Sequence, residues 1–170
     1  MRWATLPEYA AWVLAQPLNL LRGIPHETYH LGDIVAFVMH REPPFQTELV
    51  HLLPRGRESG NEVGEHVHPH VEGLEYIIYG ELYFTLAGKP LCDPRLVKKF
   101  ARGAGKWRFE IPPIHVPAGM PHGATVGPGG GAFLSIQQWH EGAPPMSTVG
   151  LDWEGAPMDD KHAQRLRGEP

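Results

Sequence analysis

Proline and glycine interrupt this chain too often for a long helix to form: 18 prolines and 20 glycines are spread over 170 residues. Proline removes a backbone donor and glycine raises the entropic cost of order, so the chain must be built from short elements joined by turns. The stretches between the breaks suit strands. After Gly32 the apolar residues alternate through Ile34, Ala36 and Val38, and the pattern resumes at Leu49 and Leu52. Side chains two apart on a strand share a face, so this alternation predicts half-buried strands. From His66 to Leu86 the sequence is rich in β-branched and aromatic residues on both sides of Gly80, where a tight hairpin turn is expected. The glycine-rich run from Gly127 to Gly131 predicts another turn, ahead of a strand from Ala132 to His140. Many short strands spaced by turn signals predict an all-β fold, an antiparallel jelly roll or barrel. A chain of this length buries roughly two-thirds of its unfolded surface, which is enough to enclose a site.

One helix is expected. Thr5 is placed as its N-cap, Pro7 sits in the first turn where a missing donor is harmless, and Glu8 closes a capping box, with the helix running to about Ala15. The organisation predicted is an N-terminal helical segment over 1–29, a barrel over 30–142, and a tail over 143–170 packed on the barrel or trailing from it. Residues 91–107 break the β pattern. There Arg95, Lys98, Lys99, Arg102 and Lys106 gather on a long loop with a short helix ending at Gly103.

Charge and composition narrow the function classes. A formal net charge of −4 gives no reason to expect nucleic acid or an anionic membrane surface as partner, since both reward a strongly basic face. The N-terminal stretch is broken by Pro7, Glu8, Gln16 and Pro17, leaving neither a signal-peptide apolar region nor a membrane span. Cys92 is the only cysteine, so no intrachain disulfide can form, and a reducing, cytoplasmic setting is the simplest expectation. A small-molecule substrate becomes the expected partner.

Eleven histidines is a heavy load, and five of them fall at His40, His51, His66, His68 and His70. Strand alternation puts His66, His68 and His70 on one face, where two imidazoles can converge on one ion. Neutral imidazole suits Fe, Mn, Ni, Cu and Zn alike. About fifty residues downstream comes Pro117-Ala118-Gly119-Met120-Pro121-His122.

With Gly60, five residues, His66-Val67-His68 and then Gly80, these residues resemble the two motifs of the cupin superfamily. The resemblance covers about residues 30–140 and implies a cupin β-barrel, a homodimer, and one divalent metal ion inside the barrel (Fe, Mn, Ni, Zn or Cu) held by His66, His68 and His122 with a glutamate. The glutamate is where this chain departs from the pattern. Counting back seven from Gly80, the family's position, reaches Gly73. Motif spacing points to Glu72, which a strand would turn away from the metal unless Gly73 permits a bulge. Face parity points to Glu75, and three histidines alone is the third arrangement. Glu72 is the reading adopted, with Glu75 as the alternative ligand or a general base. Two further departures are Ile111 and Val126, where the second motif usually carries glycine and asparagine. His70, His115, Gln137, Trp139 and His140 are candidates to line the pocket. The resemblance implies a mononuclear metalloenzyme, with a dioxygenase as the first reading. A non-redox isomerase, decarboxylase or lyase is the second, and a non-catalytic binding module the third.

Overall fold

The computed structural model describes residues 2–16, 27–31, 34–54, 61–91, 95–97, 102–103, 106–109 and 111–141. Gly60, Cys92, Lys98, Lys99 and the tail beyond 141 lie outside them, and for His66 only the backbone is described. One helix, α1 (Leu6–Ala15), precedes β1 (Glu27–Leu31), β2 (Ile34–Glu42), β3 (Phe45–Leu52), β4 (Asn61–His66) and β5 (Val71–Leu86). Then follow β6 (Lys89–Pro90), β7 (Arg95–Val97), β8 (Arg102–Gly103), β9 (Lys106–Trp107), β10 (Ile114–Val116) and β11 (His122–Trp139). The main sheet runs β1-β2-β3-β11-β5-β10, with β4 also paired to β11 and β6 and β7 to β5. Among the described residues every pairing is antiparallel. The fold is the expected all-β jelly-roll type with a short N-terminal helix. No helix among the described residues is long and apolar enough to cross a membrane.

The two long strands close the structure on itself. Phe84, near the end of β5, and Phe133, in the second half of β11, meet edge to face with ring centres 5.8 Å apart. Ala124 and Val126 from the first half of β11 join the same apolar cluster as Ile77, Val50 and Ile114. This cluster fills the inside of the barrel. Alternation assigns the inward residues: Ile34, Ala36 and Val38 are buried on β2 as the sequence predicts, and Gln46, Glu48, Val50 and Leu52 share the inward face of β3.

The opposite face of the sheet is covered by α1. Leu6, Tyr9, Ala10 and Val13 recur at helical spacing and pack on Phe45, Tyr76, Ile78, Leu134 and Ile136. A ten-residue helix is too short to persist alone, so burial of this stripe, at about 1.5–3 kcal/mol per large side chain, holds it in place. Thr5 is the N-cap and accepts from Glu8 N–H at 3.4 Å. Glu8 reaches one residue past the predicted box and accepts from Ala4 N–H at 2.8 Å. Tyr9 ties the helix to the sheet through its hydroxyl, 2.9 Å from His40 Nδ1 and 2.8 Å from Thr47 Oγ1.

Four local expectations need correction. Gly80 has the expected positive φ, 99°, yet it is no hairpin turn, because β5 runs through it. The turn comes at Ala87-Gly88, both at positive φ as a two-residue hairpin loop requires, and leads into β6. The run from Gly127 to Gly131 likewise separates no strands. Val126 pairs Leu82 and Gly131 pairs Gly80, so residues 127–130 are accommodated opposite Glu81 within β11. Finally, Arg102–Gly103 pairs with Lys106–Trp107 as strands, so the predicted helix ending at Gly103 gives way to β pairing, and the sheet already begins at Glu27.

Candidate metal centre

The two sequence motifs meet in space. Gly119, at φ 76°, donates its N–H to the His68 carbonyl at 2.9 Å, tying the second motif to the first. The rings of His68 and His122 lie 5.4 Å apart, centre to centre, and are tilted by 35°. An imidazole bound to a metal at ~2.1 Å has its centre roughly 3 Å from the ion, so two ligands of one ion stand roughly 4.5–5.5 Å apart. The observed pair fits that span. His122 Nδ1 is 2.8 Å from the Met120 carbonyl, which can only accept. Nδ1 therefore carries the proton and Nε2 keeps its lone pair, the tautomer a metal ligand needs. In the backbone ladder His66 stands opposite His122. Among the described residues, no three His, Cys, Asp or Glu side chains form a metal-binding group by themselves.

The carboxylates divide between two faces. Glu72 lies on the outward side and accepts a hydrogen bond from His115 Nε2 at 2.6 Å, with His140 Nε2 at 3.9 Å. It is not brought together with His68 and His122. Strand alternation accounts for this, since the bulge that would turn Glu72 inward is not formed: Gly73 stays in register with Val116 and Gln137. Glu75 lies on the inner face and is buried, 7% exposed.

Glu75 ends a chain of hydrogen bonds that crosses the barrel interior. Arg41 Nε donates to Gln46 Oε1 at 2.6 Å. The Gln46 amide nitrogen donates to Glu48 and, at 3.3 Å, to Gln137 Oε1. Gln137 donates to Ser135 Oγ at 3.0 Å, and Ser135 donates to Glu75 Oε1 at 2.9 Å. Glu75 Oε2 is buried with no hydrogen-bond partner. Leaving such a group unsatisfied costs about 1–3 kcal/mol. Burial, with Glu48 adding repulsion, pushes the Glu75 carboxyl up to about 8, while the Ser135 hydrogen bond pulls the other way. Of this chain of residues the sequence singles out Gln137 and Glu75, while Gln46, Glu48 and Ser135 are buried polar residues on β3 and β11 that no motif marks.

Because the folded chain keeps a proton that the unfolded chain releases above pH 4.5, the Glu75 contribution to stability is fully present below pH 4.5 and is lost as pH rises through about 8. Glu75→Gln removes that loss. Over this window the variant is expected to gain on the wild type by up to about 1.4 kcal/mol per pH unit, measured by urea unfolding at several pH values. A constant difference across the window would contradict the assignment.

The remaining candidates are placed as follows. Trp139 is buried, and its backbone N–H donates to the Pro44 carbonyl at 2.9 Å. His70 is half-exposed and pairs with Glu141 at 2.9 Å. His115 and His140 are also about half-exposed beside Glu72, so these three histidines form an outer group.

No protein-family model matches the chain, and no curated protein matches its sequence. Solved structures do. KdgF from Halomonas sp. is similar at 14% identity and TM-score 0.49, over 68% of this chain and 88% of that one. A predicted oxalate decarboxylase from Thermotoga maritima is similar at 18% and 0.49, over 70% and 96%. An RmlC-like cupin from Shewanella frigidimarina is similar at 16% and 0.48, over 68% and 85%. At these identities and scores the chemistry must be argued from the chain's own residues.

Proposed function

We propose that this chain is a mononuclear metal-dependent enzyme of cupin type, holding one divalent ion with His66, His68 and His122 and acting on a small organic substrate inside the barrel. One observation carries the reading: His68 and His122 stand at a spacing that suits a shared ion, with the His122 tautomer fixed by the Met120 carbonyl. Three imidazoles leave coordination positions for substrate, and no carboxylate joins His68 and His122 among the described residues. An ion there would supply a Lewis acid for a substrate oxygen and, if redox-active, electrons for oxygenation. The chain's own contributions are orientation and exclusion of water. Met120 holds one imidazole, the Gly119 contact fixes the loop that presents it, and the apolar inner cluster, against which Met120 packs, excludes water from that side.

A dioxygenase is the first reading within this proposal. The buried Glu75 carboxyl favours a second, a non-redox isomerase, decarboxylase or lyase, because a group tuned near neutrality can exchange a proton with substrate. Metal analysis combined with oxygen uptake separates them. Iron- or manganese-bearing protein that consumes oxygen with a member of a panel of small acids, ketones and aromatics supports oxygenation. Unchanged uptake with turnover of a panel member supports the second reading. Protein that takes up no transition ion sinks both.

A further inference from the structure

We infer that Tyr9, with His40 as its proton acceptor, is a one-electron donor site that diffusing radical oxidants reach through Trp12 and Trp3. The site lies on the helix side of the sheet, apart from the barrel interior, and is independent of the metal reading.

The Tyr9 hydroxyl is placed to give up a proton. An oxidised phenol is a strong acid and loses its proton as the electron leaves, so a tyrosine is a ready electron donor only beside a base. Tyr9 is fully buried, and bulk water cannot serve as that base. Among the described residues its hydroxyl meets His40 Nδ1 at 2.9 Å and Thr47 Oγ1 at 2.8 Å. Burial holds the Tyr9 pKa above the usual phenol value, and the Thr47 hydrogen bond acts in the opposite direction. A hydrogen bond with that effect is one donated to the phenol oxygen. The Tyr9 proton is then directed at His40 Nδ1, on the type of side chain whose basicity lies near neutral pH.

Ring contacts lead from Tyr9 to the surface. Its ring centre is 4.8 Å from that of Trp3 and 6.0 Å from that of Trp12, and the two tryptophans are 4.8 Å apart. Trp3 is buried, whereas Trp12 is partly exposed. All three are readily oxidised rings in direct contact, so an electron removed from Trp12 can be replaced from Tyr9.

Charge sets the direction. The Arg2 guanidinium stands 5.3 Å and 5.0 Å from the ring centres of Trp3 and Trp12. A cation over a ring favours the neutral, electron-rich ring and penalises positive charge on it. At Tyr9 the sign is reversed: the Glu42 carboxylate acts on it, and a nearby negative charge favours the imidazolium formed at His40. Both effects move the electron vacancy inward, from the tryptophans to Tyr9. An oxidant of the peroxyl-radical class gains one electron and becomes a hydroperoxide anion. The Tyr9 O–H bond breaks, its proton bonds to His40 Nδ1, and a neutral tyrosyl radical remains.

Flash photolysis of the intact protein tests this, with ruthenium(III) tris-bipyridine generated by the flash as oxidant, and optical and electron paramagnetic detection. Tyrosyl is expected as the main final radical. Tyr9→Phe should remove the larger part of it and leave a tryptophanyl radical, whereas Tyr83→Phe, which alters an exposed phenol, should leave it unchanged. His40→Gln keeps a hydrogen-bonding side chain but no base. It should slow tyrosyl formation by at least about a hundredfold, the low end of what a positioned proton acceptor supplies. Thr47→Val should keep the wild-type rate. Deuterium oxide should slow tyrosyl formation in the wild type, a measurement that needs no variant to fold. A tyrosyl signal that survives Tyr9→Phe, a rate equal to wild type in His40→Gln, an equal slowing in Thr47→Val, or a rate unchanged by deuterium would overturn the inference.

Discussion

Replacing His122 with alanine is expected to abolish stoichiometric metal binding while leaving the barrel folded. A fully formed transition-metal site contributes on the order of 10 kcal/mol, so one of three ligands accounts for about 3 kcal/mol, or roughly a hundredfold in Kd. The fold should survive, because His122 lies at the start of β11 while Ala124, Val126, Phe133 and Leu134 carry the packing of that strand. Titration of purified variants with Fe(II), Mn(II) or Zn(II), followed by calorimetry, measures the loss. Glu72→Gln is the control. Its carboxyl is engaged by His115 on the outer side, so affinity should change by less than about twofold, within the error of exposed-site substitutions. A large loss in Glu72→Gln with none in His122→Ala would reverse the assignment of ligands.

Gly80→Ala is expected to be the most damaging single-methyl addition among the described glycines. At φ 99° the backbone conformation is one that L side chains rarely adopt, and a Cβ would stand 2.6 Å from both the Gly130 oxygen and the Gly131 Cα. Both contacts are backbone, so no side chain can swing aside. Strain at this φ costs about 1–3 kcal/mol and the clash adds a comparable amount. A loss of about 3 kcal/mol would lower Tm by roughly 6–12 °C in a chain of this size. Gly129→Ala, where nothing among the described residues lies within 4 Å of the added Cβ, should stay within about 0.5 kcal/mol of wild type. Thermal unfolding of the two proteins side by side checks both. Equal midpoints would contradict the role given to Gly80.

The same glycine shows which parts of the structure the sequence could reveal. That Gly80 needs a positive φ was legible from its place between two β-rich runs. The reason was not, because it lies in the approach of β11 fifty residues away, where Gly130 and Gly131 press against β5. Local features transferred well. The Thr5 cap and the inward alternation of Ile34, Ala36 and Val38 depend only on neighbours in the chain. The helix expected to end at Gly103 gives way there because the pairing of Arg102–Gly103 with Lys106–Trp107 overrides local propensity.

At the candidate site, motif spacing brought out His68 and His122, which lie together. It could not decide between Glu72 and Glu75, since a choice made by face parity depends on whether Gly73 bulges, and that is set by its two partners in the sheet. The chain of Arg41, Gln46, Gln137, Ser135 and Glu75 joins β2, β3, β5 and β11. Only the closed barrel brings those residues together, so no linear spacing could announce it.

The central claim is that three histidines hold a single ion. Anomalous scattering from a crystal of metal-loaded protein, collected on both sides of the metal edge, tests it most directly. The account predicts one peak per chain, at bonding distance from His122 Nε2 and from nitrogens of His66 and His68. A peak held instead by Glu72 and His115, or no peak in protein soaked with metal, would contradict it.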